Sequence, residues 1–101
     1  EDRDTEYGQK AAQRCGLMLI AQMKAALGGD LSRVKRIVKL GAFVSSAGSY
    51  TDQPKVANGA SDLMVAVFGD AGKHARSAVG VPVLPLGAAV EIDAIVAVSA
   101  D

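Results

Sequence analysis

Aromatic residues are scarce in this chain, with two Phe, two Tyr and no Trp among 101 residues. Proteins that hold single-stranded nucleic acid stack its bases on aromatic rings inside a basic groove. Eleven basic residues balance eleven acidic ones, so the formal net charge is zero and no overall field draws phosphate polymers or anionic membranes. Neither count supports RNA binding or ribonuclease action. Cysteine is limited to Cys15, which excludes an intramolecular disulfide and fits a reduced thiol in a cytosolic chain. The lone His74 cannot build a zinc site with one Cys, because such sites draw on several protein ligands. No apolar run reaches the length of a membrane span, and the charged opening Glu1-Asp2-Arg3-Asp4-Thr5-Glu6 has no signal-peptide core. A soluble, cytoplasmic protein is therefore expected. A glycine-rich phosphate loop is missing too, since Gly28-Gly29 follows a helical pattern instead of linking a strand to one. No serine sits in a nucleophile elbow, and His74 has no triad partner in view.

What is present is small, apolar and periodic. Asp4 or Thr5 opens a helix whose apolar positions, Ala11 or Ala12, Cys15, Met18 or Leu19, Met23, and Ala26 or Leu27, recur at helical spacing until Gly28-Gly29 ends it. Cys15 on that stripe reads as a packing residue: a reactive thiol wants exposure and cationic neighbours, and Arg14 next to it in sequence faces elsewhere on a helix. Asp30 to Arg33 reads as a turn. Val34, Val38, Leu40, Ala42 and Val44, with Ile37 and Phe43 on the opposite face, fit a strand buried on much of both sides, while Lys35, Arg36 and Lys39 keep part of it wet. The Gly/Ser-rich stretch from Ser45 to Asp52 is a loop, and Asp52 can cap a second helix with Pro54 in its first turn. Val56, Ala60, Leu63, Met64 and Val67 line that helix, and Gly69 stops it. Two strands follow. Residues 1–101 thus read as one α+β domain in the order helix, strand, helix, strand, strand, without internal repeat or linker.

The last two strands carry charge where apolar residues would be expected. Ala75-Arg76-Ser77-Ala78-Val79-Gly80-Val81 and Val90-Glu91-Ile92-Asp93-Ala94-Ile95 are joined through a Pro85-Leu86-Gly87 turn. Alternation puts Arg76 on one face with Ala78 and Gly80, and Glu91 on one face with Asp93 and Ile95. A charge in a half-buried strand costs several kcal/mol unless it is paired or faces a cleft. Arginine's planar fork suits a carboxylate, and a nearby carboxylate can hold a water. A structural ion pair, or two rim charges reaching solvent by their stems, satisfies the same pattern.

The run Ala75-Arg76-Ser77-Ala78-Val79, with Pro85 nine residues after the arginine and Glu91 six beyond that, resembles the C-terminal signature of the RidA family, also called YjgF/YER057c/UK114 and, in older naming, endoribonuclease L-PSP or translation inhibitor. Val34 to Ser45 resembles its middle strand, and Val56 to Phe68 its second helix. The resemblance spans nearly the whole chain and is strongest from Ala75 onward. It implies a chorismate-mutase-like α+β fold, a sheet packed against two helices, assembled as a homotrimer with clefts between subunits. Family members begin with further strands before the first helix, and Glu1 to Tyr7 does not supply them. Part of the site wall expected by resemblance, an aromatic residue and a glycine-lined edge, would come from that segment.

The activity implied is hydrolysis of a 2-imino acid to the 2-oxo acid and ammonia, without metal or cofactor. By position, Arg76 would clamp the substrate carboxylate, Glu91 would hold the attacking water, and the backbone at Ala78 would lie against the substrate. Ala78 stands where deaminase members often have cysteine, and His74 where proline is common. Asn58 matches a helical asparagine of the family, and reads equally as a polar helix residue. The partner expected is therefore a small 2-imino or 2-oxo carboxylic acid, with neither membrane nor nucleic acid. Two alternatives stay open: a carboxylate-binding module without turnover, and the nuclease or translation-inhibitor activity of the older names.

Overall fold

The computed structural model describes residues 5–45, 52–84 and 89–99. Within them, helix α1 (Thr5–Ala26) leads through a short 3-10 turn (Leu31–Arg33) to strand β1 (Val34–Ser45), helix α2 (Gln53–Phe68), a second 3-10 turn (Gly69–Gly72), strand β2 (Ala75–Val81) and strand β3 (Val90–Val98). The expected order holds. The polar loop after Ser45 and the Pro85-Leu86-Gly87 turn lie outside the described residues.

β1 is the centre of the sheet, pairing parallel with β2 and antiparallel with β3. Both helices pack on one face, α1 over β3 and α2 over β1 and β2. Ile37, Leu40, Ala42 and Val44 of β1 meet Val56, Ala60 and Met64 of α2 and Val90 and Ile92 of β3 in the core. No helix among the described residues is long and apolar enough to cross a membrane.

Three sequence expectations are corrected by this packing. β1 is buried chiefly on one face: its ladder with β3 shifts register between Val34 and Arg36 and again between Ile37 and Lys39. These irregularities insert extra residues, so Val34, Ile37 and Leu40 all reach the helices while Val38, expected beside Leu40, is left 42% exposed. Strict alternation cannot anticipate that shift. Asp52 does occupy the position before α2, but its side chain makes no capping bond there. Its carboxylate accepts instead from the Thr5 hydroxyl at 3.4 Å. Val67, expected on the buried stripe of α2, is 46% exposed, and Phe68, one turn beyond Met64, packs against the core instead.

Glycines set how closely the helices approach. α1 buries Gly8, Ala12 and Gly16, a row spaced by one helical turn of which sequence reading named only Ala12, as an alternative to Ala11. Gly59 of α2 faces the Gln9 carbonyl so closely that a Cβ there would sit 2.0 Å from the oxygen and 3.1 Å from the Gln13 nitrogen. A mid-helix glycine normally costs stability relative to alanine, so the close approach explains its place. α1 ends in a Schellman motif, in which Gly29 N–H donates to the Lys24 carbonyl and Gly28 N–H to Ala25, with both glycines at positive φ.

Gly59→Ala should therefore be destabilising, by about 2 kcal/mol or more, although alanine is the better helix former. Urea unfolding of the variant checks this. Unchanged or raised stability would mean that the α1–α2 backbone contact does not hold.

Candidate functional site

Register decides where Arg76 points. It pairs with Leu40, so it belongs to the helix-facing row with Ala78 and Gly80, as alternation predicted. β2 is an outer strand among the described residues, and at that edge the guanidinium reaches α2. One terminal nitrogen, Nη1, donates to Ser61 Oγ at 3.0 Å, and Nη2 donates to the Pro54 carbonyl at 3.0 Å. The two acceptors stand roughly two turns apart on the same helix, so the arginine lies along α2. Arg76 is half-buried. The ion pairs among the described residues are Lys10–Glu6, Lys55–Asp52 and Lys73–Asp70, and none involves it. Its hydrogen bonds thus go to neutral oxygens, beside an open cavity of about 300 Å³ lined by Ser61, Asp62, Val65, Lys73, His74 and Arg76.

His74, for which the sequence shows neither zinc partners nor a triad, shares this cavity. Its Nε2 lies 2.9 Å from Ser61 Oγ, and its Nδ1 bonds to the Gly72 carbonyl. Ser61 is therefore a junction between the imidazole and the guanidinium. Sequence reasoning missed both Ser61 and the Pro54 carbonyl. Ser61 is separated from Arg76 by fifteen positions and reaches it only through helix-on-sheet packing, so no local spacing could have revealed it.

Glu91 occupies a different part of the molecule. It pairs with Phe43, on the row directed away from the helices, and is exposed on the opposite outer strand. Arg76 and Glu91 thus lie on opposite faces, two strand spacings or ~10 Å apart across the sheet and three residues or ~10 Å apart along β1. One chain does not bring them together. Glu91 borders a groove of about 270 Å³ between α1 and β3 that also includes Cys15, Met18 and Gln22. Cys15 donates toward the Val90 carbonyl at 3.6 Å. Burial first, and the Glu91 carboxylate second, push the thiol above its ordinary range. Both causes disfavour a thiolate, so the geometry keeps Cys15 a packing group. Asn58 lines a separate groove of about 470 Å³ between the helices with Glu6, Gln9, Lys10 and Asp62.

The fold coincides with that of known proteins. The family model described as "YjgF/chorismate_mutase-like, putative endoribonuclease" matches residues 2–97. The chain belongs to the YjgF/chorismate mutase-like family. A crystal structure of the Agrobacterium tumefaciens protein Atu1372, of unknown function, superposes on this YjgF-family chain with a TM-score of 0.97 at 48% identity, covering 98% of it and 63% of that protein. A Shewanella oneidensis protein described as a putative endoribonuclease superposes with a TM-score of 0.86 at 37% identity, over 90% of this chain and 60% of that one. Protein TCP17 of Trypanosoma cruzi is 62% identical over 90 residues, 88% of this chain and 56% of the relative. The chain therefore spans only somewhat more than half the length of these relatives.

The Cys15 environment yields a pH prediction with a fixed sign. A raised thiol pKa means less thiolate at any pH below it, so alkylation by iodoacetamide should be slower than for an unfolded peptide thiol. Its rise should come at higher pH. Glu91→Gln removes one of the two causes and should move that rise back toward lower pH. Alkylation rates across a pH series check both statements, and equal profiles for wild type and Glu91→Gln would contradict the second.

Proposed function

We propose that this YjgF-family chain contributes to a RidA-type site that hydrolyses reactive 2-imino acids to 2-oxo acids and ammonia. The observation that carries the reading is Arg76: a guanidinium with no carboxylate partner among the described residues, fixed along α2 beside an open cavity. A planar fork held this way suits bidentate capture of a small carboxylate. With the carboxylate fixed, the adjacent imine carbon is placed for attack, which is the largest service a site can offer an already electrophilic substrate. Water adds to the C=N carbon, and the nitrogen takes a proton. The resulting carbinolamine expels ammonia as the C=O bond forms.

Glu91 is the candidate to hold the water and receive its proton. Its position on the other sheet face requires that it serve a carboxylate bound at Arg76 of a second copy, or a site completed by another part of the protein. The first arrangement fits a homotrimer with sites between subunits. Support for assembly comes from the sheet face that the helices leave open, where Val79 is 45% and Ile95 61% exposed. Ala78, next on Arg76's row, would border the bound acid through its backbone. A cytoplasmic setting belongs to the same proposal. The endoribonuclease description of the family and of the Shewanella relative names a second reading. The chain's zero net charge and scarce aromatics count against it.

Hydrolysis is tested by generating 2-iminobutanoate enzymatically and following its conversion to the 2-oxo acid. Arg76→Ala should lower kcat/KM at least ~100-fold, equivalent to about 2.7 kcal/mol of lost transition-state binding, while leaving assembly intact. Arg76→Lys should recover little of it, since a point charge cannot reproduce the fork. Glu91→Gln should depress kcat with KM nearly unchanged. A wild-type rate equal to the uncatalysed one would contradict deamination. RNA cleavage lost in Arg76→Ala would favour the second reading.

A further inference from the structure

We infer that Ser61 and His74 form a hydrogen-bonded relay that positions the Arg76 guanidinium, and that the protonation state of His74 controls how firmly it is held. The inference rests on the reading of Arg76 as a carboxylate anchor and adds to it the residues that make the anchor rigid.

Donor and acceptor chemistry fixes the direction of every bond. The Gly72 carbonyl can only accept, so His74 Nδ1 carries the proton in that contact. In the neutral imidazole, Nε2 is then an acceptor, and the Ser61 hydroxyl 2.9 Å away must donate to it. Arg76 can only donate, so Ser61 Oγ accepts from Nη1 at 3.0 Å. Hydrogen bonds therefore run one way, from Arg76 through Ser61 to His74 and on to the Gly72 carbonyl. Each donation by a hydroxyl strengthens it as an acceptor, so the neutral histidine tightens the Ser61 bond to Arg76. The Pro54 carbonyl holds the second terminal nitrogen at 3.0 Å. With both terminal nitrogens held, rotation of the guanidinium about its Cζ–Nη and Nε–Cζ bonds is restricted. The Nε proton and one proton on each Nη remain in the arginine's inventory for a carboxylate.

Protonating His74 reverses one link. Nε2 becomes a donor, so Ser61 Oγ faces two cationic donors, and the imidazolium and guanidinium repel one another across a single hydroxyl. The charged groups around the imidazole are Asp62 on α2, Lys73 beside it in the chain and Arg76 on β2, with Asp70 pairing Lys73 at 3.1 Å. The carboxylate of Asp62 offsets part of that repulsion without supplying the acceptor that Ser61 loses.

Two measurements on the full-length protein test this. The first is the rate of Arg76 guanidinium rotation, read from side-chain NMR of the arginine nitrogens without any ligand. Wild type and Ser61→Thr, which keeps the hydroxyl, should rotate slowly. Ser61→Ala should rotate at least tenfold faster, and so should His74→Phe at every pH. In wild type, rotation should quicken in step with the protonation of the His74 ring followed in the same samples. Equal rotation in wild type and Ser61→Ala, or rotation indifferent to the His74 ring, would overturn the relay. The second is binding of 2-oxobutanoate, expected to weaken five- to tenfold in Ser61→Ala and to be restored in Ser61→Thr. Equal binding by wild type and Ser61→Ala would overturn the inference while the anchor reading survives. Restricted rotation in a wild type that does not bind the acid would sustain the relay and remove the anchor reading.

Discussion

Helix α2 is seated on the sheet through backbone contacts as well as side chains, and the local architecture around Arg76 depends on that seat. Gly72 lies so close to α2 that a Cβ there would be 2.2 Å from the Met64 carbonyl oxygen and 3.0 Å from the Val65 Cα. Val56, Ala60 and Met64 on the inner side of the helix meet Leu40 and Ala42 of β1. The same helix thus delivers apolar residues to the core and, one position beyond Ala60, the Ser61 hydroxyl to the rim. The tight Gly72 approach brings His74 to that hydroxyl and leads β2 away beneath it, so Arg76 reaches the helix. A displacement of α2 by an ångström would loosen the core and separate three polar groups together.

Much of this fold could be read along the chain because its elements are locally consistent: periodic helices, a Gly-Gly stop confirmed at positive φ, and glycine or proline at the expected junctions. What escaped were features created by pairing. The irregular register of β1 redirected Ile37 and Val38, and the glycine row of α1 became meaningful only once α2 stood against it. The candidate site divides the same way. Alternation correctly set Arg76 with Ala78 and Glu91 with Asp93, because faces within one strand follow from geometry. It could not relate the two strands to each other, which requires the order β2-β1-β3. Ser61 carried no signal at all in one dimension, being an ordinary serine on a helix.

The separation of Arg76 from Glu91 shapes the functional reading more than any other distance in the molecule. On the proposed reading, a guanidinium on one face and a carboxylate on the other are two partial sites, each needing a complement. In the proposed account, the helix-facing side supplies the grip on the substrate and the opposite side supplies the chemistry on water, joined when copies assemble. The chain belongs to the YjgF/chorismate mutase-like family and superposes closely on relatives of which it spans 63% and 60%. The Cys15 thiol, its pKa raised by burial and then by the Glu91 carboxylate, belongs to the packing between α1 and β3.

The most direct test is a crystal structure of the full-length protein with 2-oxobutanoate bound. The account predicts a carboxylate within hydrogen-bond distance of the Arg76 fork, with Ser61 still bonded to Nη1 and the Glu91 carboxylate of another copy facing the ligand's keto carbon. A fully occupied ligand bound away from Arg76 would contradict it.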